Sequence, residues 1–233
     1  QCSRLGESLC REEWSCLQSI APKLYGRFFV QLGDYGCGFP ELESIQYKTI
    51  LDNHATEKVS LIGEVGRLPI ATDSVNVIYL PHTLELALDP HDVLREVDRI
   101  LIPDGRLVLT VFNPISLYGL RRMFSFGRNR MPWKAGFLTF RRVTDWLRLL
   151  GFEVEDVCRL GFRPPIQNAL LYQKMSMMER IGSGYWPGLS GVYIIVAIKR
   201  MVPLSLLGQP WKKRHSFLHG GAIEPSTRNN SSV

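Results

Sequence analysis

The chain has 233 residues, of which 45% are hydrophobic and 21% are charged, and its mean hydropathy is -0.03. This balance is typical of a globular protein with a sizeable core, and it excludes a disordered or collagen-like chain. The length favours one enlarged domain over two full ones. The longest apolar runs, at 75–80 and 192–198, are much shorter than the ~18 residues of a membrane helix, so we expect no membrane partner.

Five cysteines are scattered along the chain, at positions 2, 10, 16, 37 and 158. Their number is odd and their spacing shows no close pairs, so the sequence indicates neither a disulfide framework nor a zinc site, and we expect reduced thiols. The first residues lack the long apolar run of a secretory signal. They are typical of a truncated or processed start, and we expect a cytoplasmic protein.

The net charge of +6 is concentrated in two stretches, 121–142 and 199–233. The first contains seven basic residues, no acidic ones and several aromatic ones. Such a stretch is either an ordinary solvated surface or a face that attracts an anionic substrate or a nucleic acid, with the aromatic rings stacking on bases. The same rings would serve equally well to anchor a crossover against a sheet.

Hydrophobic periodicity predicts alternating strands and helices. The predicted elements, in chain order, are a helical segment at 1–25, strands at 27–32, 47–51, 59–62 and 74–80, a helix at 89–101, a strand at 106–112, a helix around 143–150, and strands at 152–159 and 191–199. The helix at 89–101 has the clearest signals. Asp89 can cap it, Pro90 suits its first position, and Pro103 to Gly105 predict a turn after it.

This alternation indicates an α/β fold with a mostly parallel sheet and helices on both faces. Because no complete crossover fits after residue 199, we expect the last strand to enter antiparallel between its neighbours. We predict a single domain at 1–207, with an amphipathic lid insertion or core segment at 164–190, and a mobile basic tail at 208–233.

Several stretches resemble the middle of class I S-adenosylmethionine-dependent methyltransferases. They are Leu68–Leu80, His82–Glu85, Leu94–Leu109, Phe112–Leu117 and Gly119–Arg122. The chain is most similar to a small bacterial group of methyltransferases with a degenerate glycine loop. This resemblance implies a Rossmann-like methyltransferase fold of seven strands, the last antiparallel, with S-adenosylmethionine as the cofactor.

The resemblance also implies a cofactor loop after the first strand. The backbone of Gly33, Tyr35 and Gly36 would approach the methionine end of the cofactor, where a side chain would collide. The loop departs from the family pattern, because Tyr35 takes the second glycine position and Cys37 the third. Gln31 stands where an acid usually faces the ammonium group of the cofactor, and a neutral amide lacks the charge-assisted part of that hydrogen bond.

Further site residues are implied at the ends of the following strands. Asp52 would bind the ribose hydroxyls, Glu64 the adenine amine, and the main chain at Leu80 the cofactor. His82 would lie between cofactor and acceptor and take up a proton, for which an ordinary pKa of ~6.5 is suitable. Asn113 would close the site beyond the fifth strand. Each has a plainer alternative: a turn aspartate, an exposed loop glutamate, a histidine bonded to a nearby helix, or a turn asparagine.

The sequence therefore favours methyl transfer to an unidentified acceptor, most simply a small molecule. The alternative is an interaction module that has the fold but has lost cofactor binding. A nicotinamide dehydrogenase is disfavoured, because the loop at 33–38 lacks the middle glycine that lets a pyrophosphate approach. The oligomeric state does not follow from the sequence.

Overall fold

The computed structural model of the protein describes residues 4–34, 38–123, 136–162 and 187–200. All of them belong to one compact unit, Gln1–Val202. The strands are β1 (Gly26–Leu32), β2 (Ile45–Asp52), β3 (Leu61–Ile62), β4 (Val75–Pro81), β5 (Leu101–Phe112), β6 (Phe152–Leu160) and β7 (Val192–Lys199). They form a seven-stranded sheet in the order β3-β2-β1-β4-β5-β7-β6.

The sheet has the mixed topology that the sequence predicts. β1 to β5 run parallel to one another, and β7 lies antiparallel between β5 and β6. Strands buried on both faces are near-continuous apolar runs, as β4 and β7 are here. The Rossmann-like methyltransferase fold is therefore confirmed.

Helices cover both faces of the sheet. They are α1 (Arg4–Ile20), α2 (Thr83–Leu86), α3 (Pro90–Ile100), α4 (Leu117–Met123) and α5 (Phe140–Leu149). α3 and α5 pack on one face, where most of the core lies. α1 packs on the other face through Cys16, Leu17 and Ile20, next to side chains of β1, β4 and β7. Among the described residues, no helix has both the length and the apolar character needed to cross a membrane.

α3 confirms the local signals of its sequence. The carboxylate of Asp89 accepts hydrogen bonds from the backbone N–H groups of His91 and Asp92, and Pro90 occupies the first turn. At the other end, Lys199 Nζ donates to the carbonyl oxygens of Asp98 and Leu101 at 2.6 and 3.0 Å. A cation at this end also complements the helix dipole.

β5 differs from its prediction at its beginning. The strand starts directly after α3, at Leu101, which pairs with Val75, whereas the sequence predicts a start at Arg106. The pairing then shifts register before Arg106 pairs with Val77. The predicted turn lies inside this irregularity, with Asp104 in the left-handed region at φ 58°. The turn signal is therefore present, but the chain uses it as a bulge within one strand.

The expectation of reduced thiols is wrong for the pair Cys16 and Cys158. Cys16 on α1 and Cys158 on β6 form a disulfide, with their Cα atoms 6.8 Å apart and 142 residues between them in sequence. The sequence could not reveal this pair, because only the tertiary fold brings α1 over β6. The cytoplasmic location stays a prediction.

Some predicted segments lie outside the described residues. These are the tail at 208–233, most of the lid candidate at 164–190 and most of the basic stretch at 121–142. Arg141 and Arg142 of the basic stretch are described; both are exposed, and the Arg142 guanidinium carbon lies 4.8 Å from the centre of the Trp146 ring. The domain bounds, the lid and the nucleic-acid contact stay predictions.

Removing the disulfide tests its contribution to stability. A cross-link that closes so long a loop restricts the unfolded chain, so we expect Cys16→Ser with Cys158→Ser to lower the free energy of unfolding by about 2–5 kcal/mol. Urea denaturation measures this. The single variant Cys16→Ser should lose as much, because one missing sulfur already abolishes the bond. Peptide mapping without reductant that finds the two cysteines unlinked would contradict the assignment.

Candidate functional site

The first three strands end together at one edge of the sheet, and backbone hydrogen bonds join their ends. Gly33 N donates to Leu51 O at 2.7 Å, which links the end of β1 to β2. Gly63 N donates to Asp52 O at 3.0 Å, which links β2 to the segment after β3. In parallel sheets, ligands bind beyond this carboxyl edge. The predicted cofactor residues Gly33, Asp52 and Glu64 therefore lie along one edge.

Asp52 is the best-placed acid of this edge. It is 6% exposed, and its Oδ2 accepts a hydrogen bond from Asp34 N at 2.7 Å. Its Oδ1 accepts from His54 N at 3.3 Å. These contacts hold the start of the glycine loop against the end of β2. An ionised carboxylate has about four acceptor positions, so Asp52 can still accept from two hydroxyls.

The buried side chain of Gln31 supports the glycine loop through a hydrogen bond to the loop backbone. Its side chain is 1% exposed, and Nε2 donates to Gly33 O at 2.9 Å. Gly33 has φ 92°, a conformation that favours glycine. A carboxylate at position 31 could not donate this hydrogen bond. The departure from the family pattern thus has a structural reason, which sequence reasoning missed. Tyr35, Gly36 and Cys37 lie outside the described residues.

Glu64 and Leu80 occupy different environments. Glu64 is exposed, and its carbonyl oxygen accepts from Arg67 N at 3.0 Å in a short antiparallel bridge. Its backbone is therefore fixed while its side chain faces solvent. Leu80 is 1% exposed within the core, so only its main chain is suited to a ligand.

His82 lies directly after β4 in a buried cluster with two carboxylates. Its Nδ1 is 3.2 Å from Glu85 Oε2, and its Nε2 is 3.3 Å from Glu13 Oε1. The ring stacks on Phe112, with centroids 4.2 Å apart. His82 itself is 4% exposed and has the left-handed backbone conformation, φ 54°. A non-glycine residue held there is typical of functional sites.

The two carboxylates control the charge of His82. Burial alone would lower its pKa, but the hydrogen bonds and negative charges of Glu13 and Glu85 outweigh burial and raise the pKa from 6.5 to about 10. Burial raises the pKa of Glu85, and its contacts with His82 counteract this. At neutral pH the imidazole is therefore protonated and donates from both nitrogens. In this arrangement neither ring nitrogen is available to accept a proton.

Asn113 forms a corner between β5 and β7. Its Nδ2 donates to Gly188 O at 2.8 Å and to Ser190 O at 2.9 Å. Its Oδ1 accepts from Ile115 N at 3.0 Å. All three contacts are to backbone groups, so the side chain closes the end of the sheet by fixing two loops.

Sequence reasoning missed Glu13 and Glu85 as members of the site. Glu85 had a usable signal, because a glutamate three residues after a histidine lies on the same helical turn. Glu13 had none, since it is 69 residues from His82 in sequence and reaches it only when α1 packs on the sheet.

Residues 34–109 match a family model described as a methyltransferase domain. This part of the chain is therefore similar to a methyltransferase domain, and the sheet around it has the class I fold. Over 139 residues it is 40% identical to the uncharacterized protein YafS of Escherichia coli K12, which covers 60% of this chain. The match spans only 54% of that relative's length.

Solved structures agree with this fold. A methyltransferase of Thermotoga maritima superposes with a TM-score of 0.60 at 19% identity, covering 84% of this chain and 92% of that one. One of Mesorhizobium loti gives 0.54 at 18% identity, with 80% and 97% coverage. Both are S-adenosylmethionine-dependent methyltransferases, and at this identity they show the fold that this chain shares with them. These findings do not favour the interaction-module alternative.

The described residues fit an adenosyl amino acid. Asp52 keeps acceptor positions for a ribose diol, and the Gly33 backbone is held in a conformation without a side chain to obstruct a ligand. Asp34 and Asp52 bring two acidic side chains to this edge, which suits a positively charged ligand. We find no feature of the described edge that opposes the cofactor.

Replacing Gln31 tests its support of the loop. Gln31→Glu removes the side-chain donor to Gly33 O and turns a carboxylate towards a carbonyl, so we expect the free energy of unfolding to fall by about 1–3 kcal/mol. Urea denaturation provides the measurement. Gln46→Glu, the same change at an exposed position of β2, should alter stability much less. Equal losses in the two variants would refute the loop contact.

The charge of His82 also predicts a pH dependence. His82 binds its proton more tightly in the folded chain, with a pKa of about 10, than in the unfolded chain, near 6.5. The resulting stabilisation is complete below pH 6.5 and is lost as the pH rises through 10. The difference in unfolding free energy between wild type and His82→Gln should shrink over this window, as denaturation at several pH values would reveal. A constant difference would contradict it.

Proposed function

We propose that the chain catalyses methyl transfer from S-adenosylmethionine to a small-molecule acceptor. The observation that carries this proposal is the hydrogen bond between Asp34 N and Asp52 Oδ2. It brings the glycine loop against the acid at the end of β2. The methionine end of an adenosyl amino acid would then contact the loop while its ribose contacts Asp52 beside it.

Each described residue has a defined task in this proposal. Asp52 accepts from the ribose hydroxyls, and the exposed carboxylate of Glu64 accepts from the adenine amine. The backbone at Gly33, held by Gln31, faces the methionine end. When bound, the cofactor supplies a methyl group on a positively charged sulfur. The protein accelerates transfer mainly by orienting the reactants and excluding water.

The acceptor belongs on the His82 side of the edge. Two hydrogen bonds to backbone carbonyls fix this side to its neighbours: the Thr83 hydroxyl donates to Leu32 O at the end of β1, and His82 N donates to Thr110 O of β5 at 2.9 Å. α1 covers the cluster, which leaves His82 4% exposed. An edge enclosed in this way suits a small acceptor better than a macromolecule.

The protonation of His82 limits its chemical role. A protonated ring whose two nitrogens both donate to carboxylates cannot take the proton of an acceptor. Glu85 lies in the same turn and also accepts from Phe112 N, so it is fixed on two sides. Glu13 holds the other nitrogen from a separate helix. The base function of His82 stays a prediction that this charge state opposes, and an orienting role fits the geometry better.

Calorimetric titration tests the proposed function. We expect wild type to bind both S-adenosylmethionine and S-adenosylhomocysteine. Asp52→Asn should weaken both by about tenfold, since hydrogen bonds to a charged acceptor are worth about 1.4 kcal/mol more than those to a neutral one. Glu43→Gln is the matched control, because it removes one negative charge from an exposed position before β2, at the opposite end of that strand from Asp52. Thermal unfolding would show that both variants fold.

Two results would count against the proposal. Absence of heat at millimolar concentrations of both ligands would remove cofactor binding altogether. Equal affinities for wild type and Asp52→Asn would place the ribose elsewhere.

A further inference from the structure

Glu13 occupies an unusual position on α1. Leu9, Leu17 and Ile20 form the buried stripe of this helix, and Glu13 stands within the same stripe at 3% exposure. A carboxylate costs much more to bury than an apolar side chain unless it is paired. An acid therefore occupies a position of α1 that an apolar residue would usually fill. The contacts of Glu13 show how its burial is compensated.

One contact of Glu13 is with His82 Nε2, at 3.3 Å and with both side chains about 95% buried. On its other nitrogen His82 contacts Glu85, and its ring lies on Phe112 at an interplanar angle of 20°. Three elements thus fix the ring: α1, the turn into α2, and β5. Of these, only α1 comes from a part of the chain remote from the strand ends.

α1 itself is fastened to the far side of the sheet. Cys16 lies three residues after Glu13 on α1, and its disulfide with Cys158 joins the helix to β6. Lys23, just after the helix, pairs with Asp156 at 2.6 Å, but this pair is exposed and contributes little. The disulfide therefore restrains the part of α1 that carries Glu13.

We propose that Glu13 is a positioning residue of the methyl-transfer site: from α1 it holds the imidazole of His82 in a fixed orientation and charge state towards the bound reactants. This inference rests on the proposed function. It assigns α1 a role in the reaction beyond covering the core.

The electrostatic surroundings of His82 agree with this role. Among the described residues, the titratable groups that face the cluster are Glu13 from α1, Glu85 from α2, Tyr79 from β4 and Tyr193 from β7. The Tyr79 hydroxyl bonds with Thr110 of β5, and burial and the negative charge of Glu85 raise the pKa of Tyr193. Burial and the negative charge of Glu13 raise the pKa of Tyr79, which therefore stays neutral. Two carboxylates thus face one imidazolium. Loss of the charge of Glu13 would leave Glu85 as the single anionic partner.

The test uses three variants of the full chain with isotope-labelled histidine. Glu13→Gln removes the charge at almost constant shape, Glu13→Asp keeps the charge on a shorter side chain, and Glu7→Gln is the control on an exposed position of the same helix. NMR titration follows the ring of His82, identified by its absence from the spectrum of His82→Gln. Thermal unfolding establishes that each variant is folded. If Glu13→Gln does not fold, the titration of Glu13→Asp takes its place.

We expect the pKa of His82 to fall by about one to three pH units in Glu13→Gln, because an opposite charge within hydrogen-bond distance shifts a pKa by that amount. Glu13→Asp should give a smaller fall, and Glu7→Gln none. An unchanged pKa in Glu13→Gln would overturn the inference.

Ligand titrations separate a role in the site from a purely structural one. S-adenosylmethionine and S-adenosylhomocysteine differ in one methyl group and one positive charge, so the ring signals of His82 should respond differently to the two. This difference should be lost in Glu13→Gln. Signals unmoved by ligands that calorimetry shows to bind would overturn the inference and leave the proposed function intact. Absence of binding in wild type would overturn the proposed function itself.

Discussion

A protonated imidazole buried between two carboxylates is the interaction on which the strand ends depend. His82 carries a positive charge at 4% exposure, which is tolerable only while Glu13 and Glu85 offset the loss of hydration. The three side chains belong to α1, to β4 with its following turn, and to α2. The cluster therefore makes the position of the N-terminal helix and the shape of the carboxyl edge parts of one electrostatic arrangement.

The two halves of the edge are built on different principles. The cofactor half is held mainly by backbone hydrogen bonds between neighbouring strands, such as Gly33 with Leu51 and Gly63 with Asp52. The side chains of Gln31 and Asp52 add contacts to the backbone directly after β1. The acceptor half consists of side chains from distant parts of the chain, of which Glu13 is the farthest. Hydrogen bonds between backbone groups tolerate changes of side chain well, because they do not depend on side-chain identity. The acceptor half depends on individual side chains and is the more sensitive to substitution.

The same distinction explains how much the sequence could predict. The alternation of strands and helices, the antiparallel last strand and the capping of α3 follow from local pattern and from the rules of parallel sheets. The positions of Asp52 and Gln31 at the strand ends follow too. The donor role of Gln31, the Cys16–Cys158 bond and the contact of Glu13 do not, because each depends on where the chain returns in three dimensions. β5 shows an intermediate case, in which the turn residues were identified but their use as a bulge was not.

The departure at Gln31 need not weaken the cofactor site. Once Gly33 O points at side chain 31, an acid there would set two acceptors against each other, whereas an amide satisfies the carbonyl at 2.9 Å. The negative charge that the family pattern has at this position is then absent from the end of β1, directly before the loop. Asp34 and Asp52, joined by the bond from Asp34 N to Asp52 Oδ2, bring acidic groups to the rim instead. Electrostatic attraction acts over several ångströms, so a positively charged ligand would still meet a negative edge.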